Sequence, residues 1–352
     1  MHVLQISFFM DPRARQPEQL LHDWYSLVDV AASVASGGCR VTVAQASQHR
    51  ARIERDGVVY HFVPPDRVGS AMVDGQAFKE LLRASNADAL HVHGLGFPRD
   101  IGRLTRLAPQ LPIILQDHAN RPPRIWRRGA WRRGLAHVDG VAFCALEQVT
   151  PFIEQRVLPA HVTFYEYPGT SSHFSPGDQA AARALTGLYG DPCVLWVGHL
   201  NHNKDPLTVL RGMSECIRLL PELHLWCCFG SAPLHAAIER ELQRNADLAA
   251  RVHLLGPQPH ERVEHLMRAA DLFALGSHFE GSGFSLIESL ATGLTPVVSN
   301  IASFRALTGN GAVGALFPPG DARGFARALL AVAARAKAAA RATARAHFER
   351  EL

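Results

Sequence analysis

Two glutamates separated by seven residues enclose the segment of this sequence whose residue types are best suited to binding a substrate. Glu280 and Glu288 flank the glycine loop Gly281-Ser282-Gly283, and a helical pattern follows. Free N–H groups at a helix start bind anions, with the helix dipole behind them. Both carboxylates are acceptors suited to sugar or ribose hydroxyls, so a phosphate site between them is typical of a nucleotide-sugar site. The N–H groups that would form it belong to Gly283, Phe284 and Ser285.

A lysine is the second chemical feature. Lys204 lies between an apolar run at 193–197 and a helical pattern that begins near Pro206. A lysine at such a loop stabilises a leaving diphosphate electrostatically, which is otherwise the role of a metal ion. The sequence contains no Asp-x-Asp motif. We therefore expect a metal-independent site with no cofactor besides the nucleotide-sugar substrate, and a solvated loop lysine is the alternative.

These side chains must be positioned by strands and helices, and the first half of the chain alternates between the two patterns. Short runs rich in Val, Ile and Leu predict strands, and apolar residues at helical spacing predict a crossover helix at 19–35. Strands that alternate with helices indicate a parallel, doubly wound α/β sheet. The strands are predicted at 2–8, 40–46, 89–92, 112–115 and 140–145.

The second half repeats this alternation after a turn-rich stretch at 167–178. Strands are predicted at 193–197, 223–229, 252–255, 272–275 and 295–298, with helices that start near Pro206, Leu234, His260 and Ser285. Ligands of open α/β sheets bind at the carboxyl ends of the strands. Two such sheets in tandem predict a ligand cleft between their carboxyl edges.

Composition excludes several classes of protein. The chain has 352 residues, enough for two domains, with 47% hydrophobic and 19% charged residues. The formal net charge of +4 is too small to indicate bulk nucleic-acid binding. Six Cys without a Cys-x-x-Cys pair predict neither a zinc ribbon nor a disulfide framework, and they favour a reducing cytosol. The first ten residues predict a buried strand and not a signal peptide, and no apolar run is long enough for a membrane span.

In the segment from Ser277 to Val298 the sequence resembles the retaining glycosyltransferases of family 4. Glu280 and Glu288 match the two positions of that family's Glu-x7-Glu motif, and Ala291, Gly293 and 296–298 match the Ala-x-Gly-x-Pro-Val-Val that follows. The resemblance implies the GT-B fold, in which two Rossmann-like domains face each other across a cleft. It also implies that Glu288 holds the ribose of the nucleotide and that Glu280 contacts hydroxyls of the transferred sugar. Two solvated helix glutamates are the alternative.

The resemblance extends along the second half of the chain and sets the expected domains. Gly198 and Lys204 match a family segment whose Arg and Lys neutralise the diphosphate, but His199 stands at the Arg position. Because His titrates near pH 6.5, this substitution alters the charge compensation. Pro257 falls where the family places backbone around the nucleobase. The expected domains are an acceptor-side domain at 1–168, a linker at 169–190, a donor-binding domain at 191–335 and a C-terminal helix at 336–352.

Histidines in the first half provide further candidates. Gln116-Asp117-His118 resembles the family position whose His lies beside the donor sugar, so His118 is the catalytic candidate of the first domain, as a hydrogen-bonding group near the anomeric centre. A structural histidine is the alternative, and it is the favoured role for His93. The family's Gly-Gly loop after the first strand is replaced here, and Arg13 or Arg15 in the new loop could supply the charge that His199 lacks.

Two basic segments remain. Residues 121–133 contain six arginines and two tryptophans, which suits an anionic membrane surface; the alternative is a solvated helix whose tryptophans pack on the core. Residues 322–352 are rich in alanine and arginine and predict one long helix.

Together these features predict a cytoplasmic glycosyltransferase, peripheral on the inner face of the membrane if 121–133 binds lipid. It would transfer a sugar from a UDP- or GDP-sugar with retention of configuration, by the front-face mechanism usual in the family. The acceptor would be a glycan, a lipid-linked molecule or a small molecule, and no nucleic-acid partner is expected. The alternatives are a nucleotide-sugar epimerase of the same fold and a non-catalytic partner protein that retains the fold.

Overall fold

A computed structural model describes residues 1–67, 70–167, 173–335 and 337–352. The chain divides into two compact units, Met1–Ser171 and Ser172–Leu352. The predicted domain boundary at 168/169 lies outside the described residues. Each unit is built around its own parallel sheet.

The first unit begins with a strand and alternates strands and helices, as its sequence pattern predicts. In chain order its elements are β1 (His2–Ser7), α1 (Pro17–Asp23), α2 (Tyr25–Ser36), β2 (Arg40–Ala46), β3 (Ala51–Arg55), β4 (Val58–Val63), α3 (Gln76–Ser85), β5 (Ala89–His93), α4 (Pro98–Leu107), β6 (Ile113–Gln116), α5 (Arg128–Gly134), β7 (Gly140–Phe143), α6 (Thr150–Glu154) and β8 (Thr163–Glu166).

In the described part of this unit the sheet has eight strands in the order β3-β4-β2-β1-β5-β6-β7-β8. All neighbours are parallel except β3 and β4, which pair antiparallel. Helices cover the sheet, so side chains such as Leu4, Val92 and Leu115 are fully buried. The strand order reverses between β1 and β5, where Ser7 pairs in register with His93 and with Gln45 of β2. This is the position at which open α/β sheets bind ligands.

The second unit continues the alternation. Its elements are α7 (Gln179–Thr186), β9 (Cys193–Val197), α8 (Pro206–Cys216), β10 (His224–Cys228), α9 (His235–Gln243), α10 (Ala246–Ala249), β11 (Val252–Gly256), α11 (His260–Ala269), β12 (Leu272–Leu275), α12 (Phe284–Ala291), β13 (Thr295–Ser299), α13 (Ala302–Leu307), β14 (Ala315–Phe317), α14 (Ala322–Ala333) and α15 (Lys337–Glu351).

Here the described strands form a six-stranded sheet in the order β11-β10-β9-β12-β13-β14. Counted from β9, this is the 3-2-1-4-5-6 order of a Rossmann fold. The strands are parallel, and buried side chains such as Trp196, Phe273 and Val297 pack on both faces. The order reverses between β9 and β12, so the loops that follow these two strands lie side by side. Those loops contain Lys204 and Glu280.

The helix predicted at 19–35 is two helices that break at Trp24. The backbone of Trp24 is non-helical, with φ −103° and ψ 73°, and its N–H donates to the carbonyl of Leu20. Its ring contacts the ring of Phe9, with centroids 5.5 Å apart. Neither Gly nor Pro lies at this break, so the sequence pattern gives no signal for it.

Two further predicted segments differ in the structure. The predicted linker at 169–190 contains α7, which packs against α11 and belongs to the second unit. The single helix predicted at 322–352 is the pair α14 and α15. Alanine favours helix throughout the segment, but Arg341 and Arg345 of α15 bind carbonyl oxygens of Ala270 and Ala291, which fixes α15 against α12 of the same unit.

None of the helices in the described ranges is both long and apolar enough to cross a membrane.

Candidate active site

The site predicted in the second unit lies on the two loops after β9 and β12. Three polar contacts connect the loops. The N–H of His278 donates to the carbonyl of Asn203 at 2.8 Å, and the side-chain amide of Asn203 donates to the carbonyl of Phe279 at 2.8 Å. His278 Nε2 lies 3.0 Å from Asp205 Oδ2. These contacts hold the residues on either side of Lys204 and Glu280 in fixed positions.

Lys204 and Glu280 form an ion pair. Lys204 Nζ lies 2.6 Å from Glu280 Oε1, and the two side chains are only 17% and 13% exposed. Asp205 directly precedes α8 and caps it, because its carboxylate accepts hydrogen bonds from the N–H and the hydroxyl of Thr208. Lys204 is therefore held at the start of a capped helix with its ammonium at the carboxyl end of the sheet. An ammonium has three donors, so Lys204 can bind an anion while it remains paired with Glu280.

The glycine loop leads into α12 as the sequence predicts, with the helix beginning at Phe284. Gly283 has φ +92°, and a Cβ there would lie 2.7 Å from Cε1 of Phe304. Glycine is required at this position both by the backbone conformation and by the close approach of the ring. No side chain of the described residues caps α12. The first N–H groups of this helix, predicted at Gly283, Phe284 and Ser285, are thus not satisfied by a side-chain cap.

Glu288 lies one turn into α12 and is held by a residue that the sequence analysis did not select. Its Oε1 lies 2.7 Å from Nε2 of His260, the first residue of α11. The ring of His260 packs on the ring of Phe174, with centroids 4.6 Å apart. The sequence signal for His260 is its position at the start of the helix that follows β11. The parallel strands of this sheet all end at the same edge, and β11 therefore brings His260 to the edge where Glu288 lies.

Gly198 and His199 follow β9 directly. The N–H of Gly198 donates to the carbonyl of Cys228 at 3.1 Å, and His199 Nδ1 accepts the N–H of Ser231 at 3.1 Å. Because Nδ1 accepts, the neutral ring carries its proton on Nε2, where it can donate to an anion. Pro257 lies exposed in the loop between β11 and α11. Nothing in the structure tests the donor-binding roles predicted for these three residues.

Among the residues that the structure describes, no group of three or more His, Cys, Asp or Glu side chains could hold a metal ion. Metal independence stays a prediction.

In the first unit the predicted histidines lie together at the carboxyl ends of β5 and β6. His93 Nδ1 lies 2.9 Å from His118 Nε2, and the rings stack with centroids 5.2 Å apart. Desolvation lowers the pKa of His118 to about 4 and that of His93 well below its ordinary value. Both rings are therefore neutral at pH 7, and one donates a hydrogen bond to the other.

Asp117 shapes the turn that presents His118. Its two carboxylate oxygens accept the N–H groups of Ala119 and Asn120 at 3.1 and 2.9 Å. Desolvation raises the pKa of this buried carboxyl to about 6. The hydroxyl of Tyr167 donates to the carbonyl of Asp117 at 2.6 Å. His118 thus extends from a turn that is hydrogen-bonded on both sides.

In the loop after β1, the positive charge of Arg15 is already paired with two carboxylates. Arg15 Nε lies 2.8 Å from Asp11 Oδ2 and Arg15 Nη1 lies 2.9 Å from Asp23 Oδ2. Hydrogen bonds from Arg15 hold the pKa of Asp11 well below its usual range. The hypothesis that Arg15 replaces the charge missing at His199 is therefore not supported, whereas Arg13 is exposed and the same role for it stays a prediction.

In the basic aromatic segment at 121–133, one tryptophan is buried and the other is exposed. Trp131 is 5% exposed and packs on Phe152. Ile125 and Trp126, in the single helical turn Ile125–Arg127, are each 70% exposed. The guanidinium of Arg124 lies over the ring of Trp126, 5.4 Å from its centroid. One tryptophan therefore anchors the segment and the other is presented to solvent.

Comparison with known proteins agrees with this architecture. Residues 179–347 match the family model described as glycosyl transferases group 1. The chain is 27% identical over 248 residues to the D-inositol 3-phosphate glycosyltransferase of Nocardia farcinica, a stretch that covers 65% of this chain and 55% of that relative. The chain thus spans about half the length of this relative.

Solved structures cover nearly the whole chain. Sucrose-phosphate synthase from Thermosynechococcus elongatus superposes with a TM-score of 0.71 at 18% identity, over 99% of this chain and 93% of that one. Anabaena HepE in complex with UDP and glucose superposes with a TM-score of 0.70 at 17% identity, over 99% of this chain and 95% of that one. The chain therefore has the GT-B fold. Residues 179–347 of its second unit are similar to the group 1 glycosyl transferases.

Proposed function

We propose that this protein transfers a sugar from a nucleoside diphosphate sugar to an acceptor, with retention of configuration and without a metal ion. The observation that carries the proposal is the partly buried Lys204–Glu280 pair at the reversal point of the second sheet. Beside it begins α12, which no side chain of the described residues caps. A cation and free helix N–H groups are suited to a diphosphate, and two carboxylates are suited to sugar hydroxyls.

The roles of the residues follow from these contacts. The diphosphate would accept hydrogen bonds from Lys204 and from the N–H groups of Phe284 and Ser285, which also stabilise the charge that develops as it leaves. Glu280 would orient Lys204 and accept hydrogen bonds from hydroxyls of the transferred sugar. Glu288, oriented by His260, would accept hydrogen bonds from the ribose hydroxyls. The UDP in the HepE complex supports uracil as the first base to test.

Retention would follow the front-face course. The acceptor hydroxyl attacks the anomeric carbon on the side from which the diphosphate departs, and its proton passes to a phosphate oxygen of the leaving group. His118 is the candidate of the first unit. Its ring is neutral at pH 7 because desolvation lowers its pKa to about 4, so it can hydrogen-bond a sugar hydroxyl without adding charge.

Calorimetric titration with UDP, GDP, ADP and dTDP, with and without EDTA, tests the donor site. We expect one nucleotide to bind irrespective of EDTA, and the Lys204→Met variant to bind it at least tenfold more weakly, because a charge-assisted hydrogen bond contributes about 1.5 to 3 kcal/mol. The matched control is Lys79→Met on α3 of the first unit. Equal affinity in the wild type and the Lys204→Met variant contradicts the proposed diphosphate site.

Two other functions are compatible with the fold. A nucleotide-sugar epimerase would convert its donor without any acceptor and accumulate an epimer. A non-catalytic partner protein would bind the nucleotide sugar without releasing nucleotide. Product analysis of the bound donor therefore separates all three.

We also propose that residues 121–133 bind an anionic membrane surface. Ile125 and Trp126 are both 70% exposed, and arginines surround them in the sequence. Interfacial binding combines buried apolar side chains with about 1 kcal/mol for each basic residue near an anionic surface. Ile125 and Trp126 are thus presented to solvent although the same segment buries Trp131.

Sedimentation with phosphatidylglycerol vesicles and with phosphatidylcholine vesicles tests this surface. The wild type should bind the anionic vesicles preferentially and lose that binding at high salt. The Ile125→Ser/Trp126→Ser double variant should lose most of it, whereas Leu219→Ser, which removes an apolar side chain that is 68% exposed in the second unit, should not. Undiminished binding by the double variant contradicts the proposal.

A further inference from the structure

The first unit contains a pocket at the point where its strand order reverses. Its volume is about 400 Å³. It lies beside the carboxyl ends of β1, β2 and β5, where an open α/β sheet binds its ligand. The residues that line it include Phe9, Trp24, Gln45, His93, Phe97 and His118.

One wall of this pocket is aromatic. Phe9 is 50% exposed although it is a large apolar side chain, and its ring contacts Trp24 with centroids 5.5 Å apart. Trp24 is held at the break between α1 and α2. Phe97 lines the pocket as well. Aromatic rings pack against the C–H faces of sugar and polyol rings, and such rigid walls are typical of small-molecule sites.

The polar groups of the pocket are suited to hydroxyls. The side-chain nitrogen of Gln45 donates to the carbonyls of Phe9 and Ala46 at 2.6 and 2.8 Å, which fixes the amide. Gln45 Oε1 and His93 Nε2 are buried without a hydrogen-bond partner among the described residues. An unsatisfied buried polar atom destabilises the folded protein, so a ligand group that pairs with it is favoured. A hydroxyl both donates and accepts, so hydroxyl groups could satisfy the two atoms together.

The charge around the pocket disfavours an anion. None of the described residues that line it is Lys or Arg. The guanidinium of Arg15 lies 5.4 Å from the centroid of the Trp24 ring, and it is paired with both Asp11 and Asp23. One positive and two negative charges leave this cluster with a net charge of −1. Among the described residues that line the pocket, a phosphate beside Trp24 would meet no Lys or Arg, and the neighbouring Arg15 is already paired with two carboxylates.

We propose that this pocket binds the acceptor, and that the part of the acceptor it binds is an uncharged, hydroxyl-rich ring, a sugar or cyclic polyol without phosphate. This inference rests on the proposed glycosyltransferase function. It separates this chain from the relative in Nocardia farcinica, whose name specifies an inositol phosphate. Substrate selection follows from the aromatic wall and from the carboxylates that neutralise Arg15.

Ligand-observed NMR titration of the intact protein tests the proposal, with saturating nucleoside diphosphate and without it. The probes are methyl α-glucopyranoside, myo-inositol, glucose 6-phosphate and inositol 3-phosphate. At least one neutral probe should bind, and its phosphorylated counterpart should bind at least tenfold more weakly. The Phe9→Ala and Trp24→Phe variants should each weaken the neutral probe severalfold. Leu185→Ala, which truncates a side chain that is 60% exposed on α7, should not.

Tighter binding of a phosphorylated probe overturns the proposal, as does binding that both variants leave unchanged or the failure of every neutral probe to bind. Failure of the proposed function is distinguishable, because it shows as nucleotide binding that is absent or insensitive to Lys204→Met. Thermal melting of Phe9→Ala controls for misfolding, and its side chain is half exposed, so little loss of stability is expected.

Discussion

Removing the carboxylate of Glu288 should weaken nucleotide binding specifically through the ribose. Glu288 is 16% exposed, and its Oε1 lies 2.7 Å from Nε2 of His260. A carboxylate can accept about four hydrogen bonds, so the contact with His260 does not exhaust the capacity of Glu288 to accept hydrogen bonds from ribose hydroxyls. The Glu288→Ala variant removes that acceptor, whereas Glu288→Gln retains the shape and an oxygen for His260.

The magnitude follows from the type of hydrogen bond. A hydrogen bond to a charged group contributes about 1.5 to 3 kcal/mol, so Glu288→Ala should lose about ten- to a hundredfold in nucleotide affinity. A neutral hydrogen bond contributes about 0.5 to 1.5 kcal/mol. The difference is about 1 to 1.5 kcal/mol, so Glu288→Gln should lose less, about five- to thirteenfold in affinity. His260→Ala keeps the carboxylate but releases its orientation, and we expect the smallest loss of the three.

Calorimetry with modified nucleotides makes this test specific. The nucleoside diphosphate that binds best is compared with its 2′-deoxy and 3′-deoxy forms, in the wild type and in Glu288→Ala. Removing the hydroxyl that Glu288 binds should weaken the wild type but leave the variant unchanged, as in a double-mutant cycle. Glu261→Ala, on the exposed side of α11, is the matched control.

Equal losses for the deoxy nucleotides in wild type and variant would refute the ribose assignment. Undiminished affinity of Glu288→Ala for the unmodified nucleotide would refute it directly.

Two further predictions concern the glycine loop and the histidines. Gly283→Ala should lower both the melting temperature and the nucleotide affinity, because φ is +92° at this position and the new Cβ would lie 2.7 Å from Phe304. Gly187→Ala is the control for backbone strain alone, since Gly187 has φ +76° and a Cβ there would meet nothing within 4 Å. Equal effects of the two substitutions would contradict this explanation. His91 has its pKa lowered to about 4 by desolvation, so between pH 6.5 and 4 the unfolded chain binds the extra proton and stability falls as the pH falls. Urea unfolding from pH 7 to 4 should show the wild type losing about 1 to 3 kcal/mol more than His91→Gln, and parallel pH profiles would contradict that pKa.

Most of the second sheet could be predicted because its strands are buried on both faces. The runs at 193–197 and 272–275 coincide with β9 and β12, since continuous apolar residues between turns are typical of parallel strands. The helix starts at Pro206 and His260 agree as well, and α12 begins one residue before the predicted Ser285. The pairs Lys204–Glu280 and Glu288–His260 could not be predicted from spacing alone, because they depend on which strands are neighbours.

Features of the first unit were harder to predict where tertiary packing opposes local propensity. The break at Trp24 has neither Gly nor Pro to signal it, and the contact of its ring with Phe9 depends on the tertiary fold. The antiparallel hairpin of β3 and β4 lies at the sheet edge, where β3 is largely exposed and lacks a continuous apolar run. The ion pairs of Arg15 likewise depend on where the loop after β1 folds back onto α1.

The most direct test of the central claim is release of nucleoside diphosphate from nucleotide sugars by the purified protein in the presence of EDTA. Incubation with UDP-, GDP-, ADP- and dTDP-sugars should give slow release from one donor even without an acceptor, and Glu280→Ala should abolish it, because its carboxylate both pairs with Lys204 at 2.6 Å and would bind the sugar. Release that Glu280→Ala leaves intact, or a bound donor that is never cleaved with any acceptor supplied, would contradict the account.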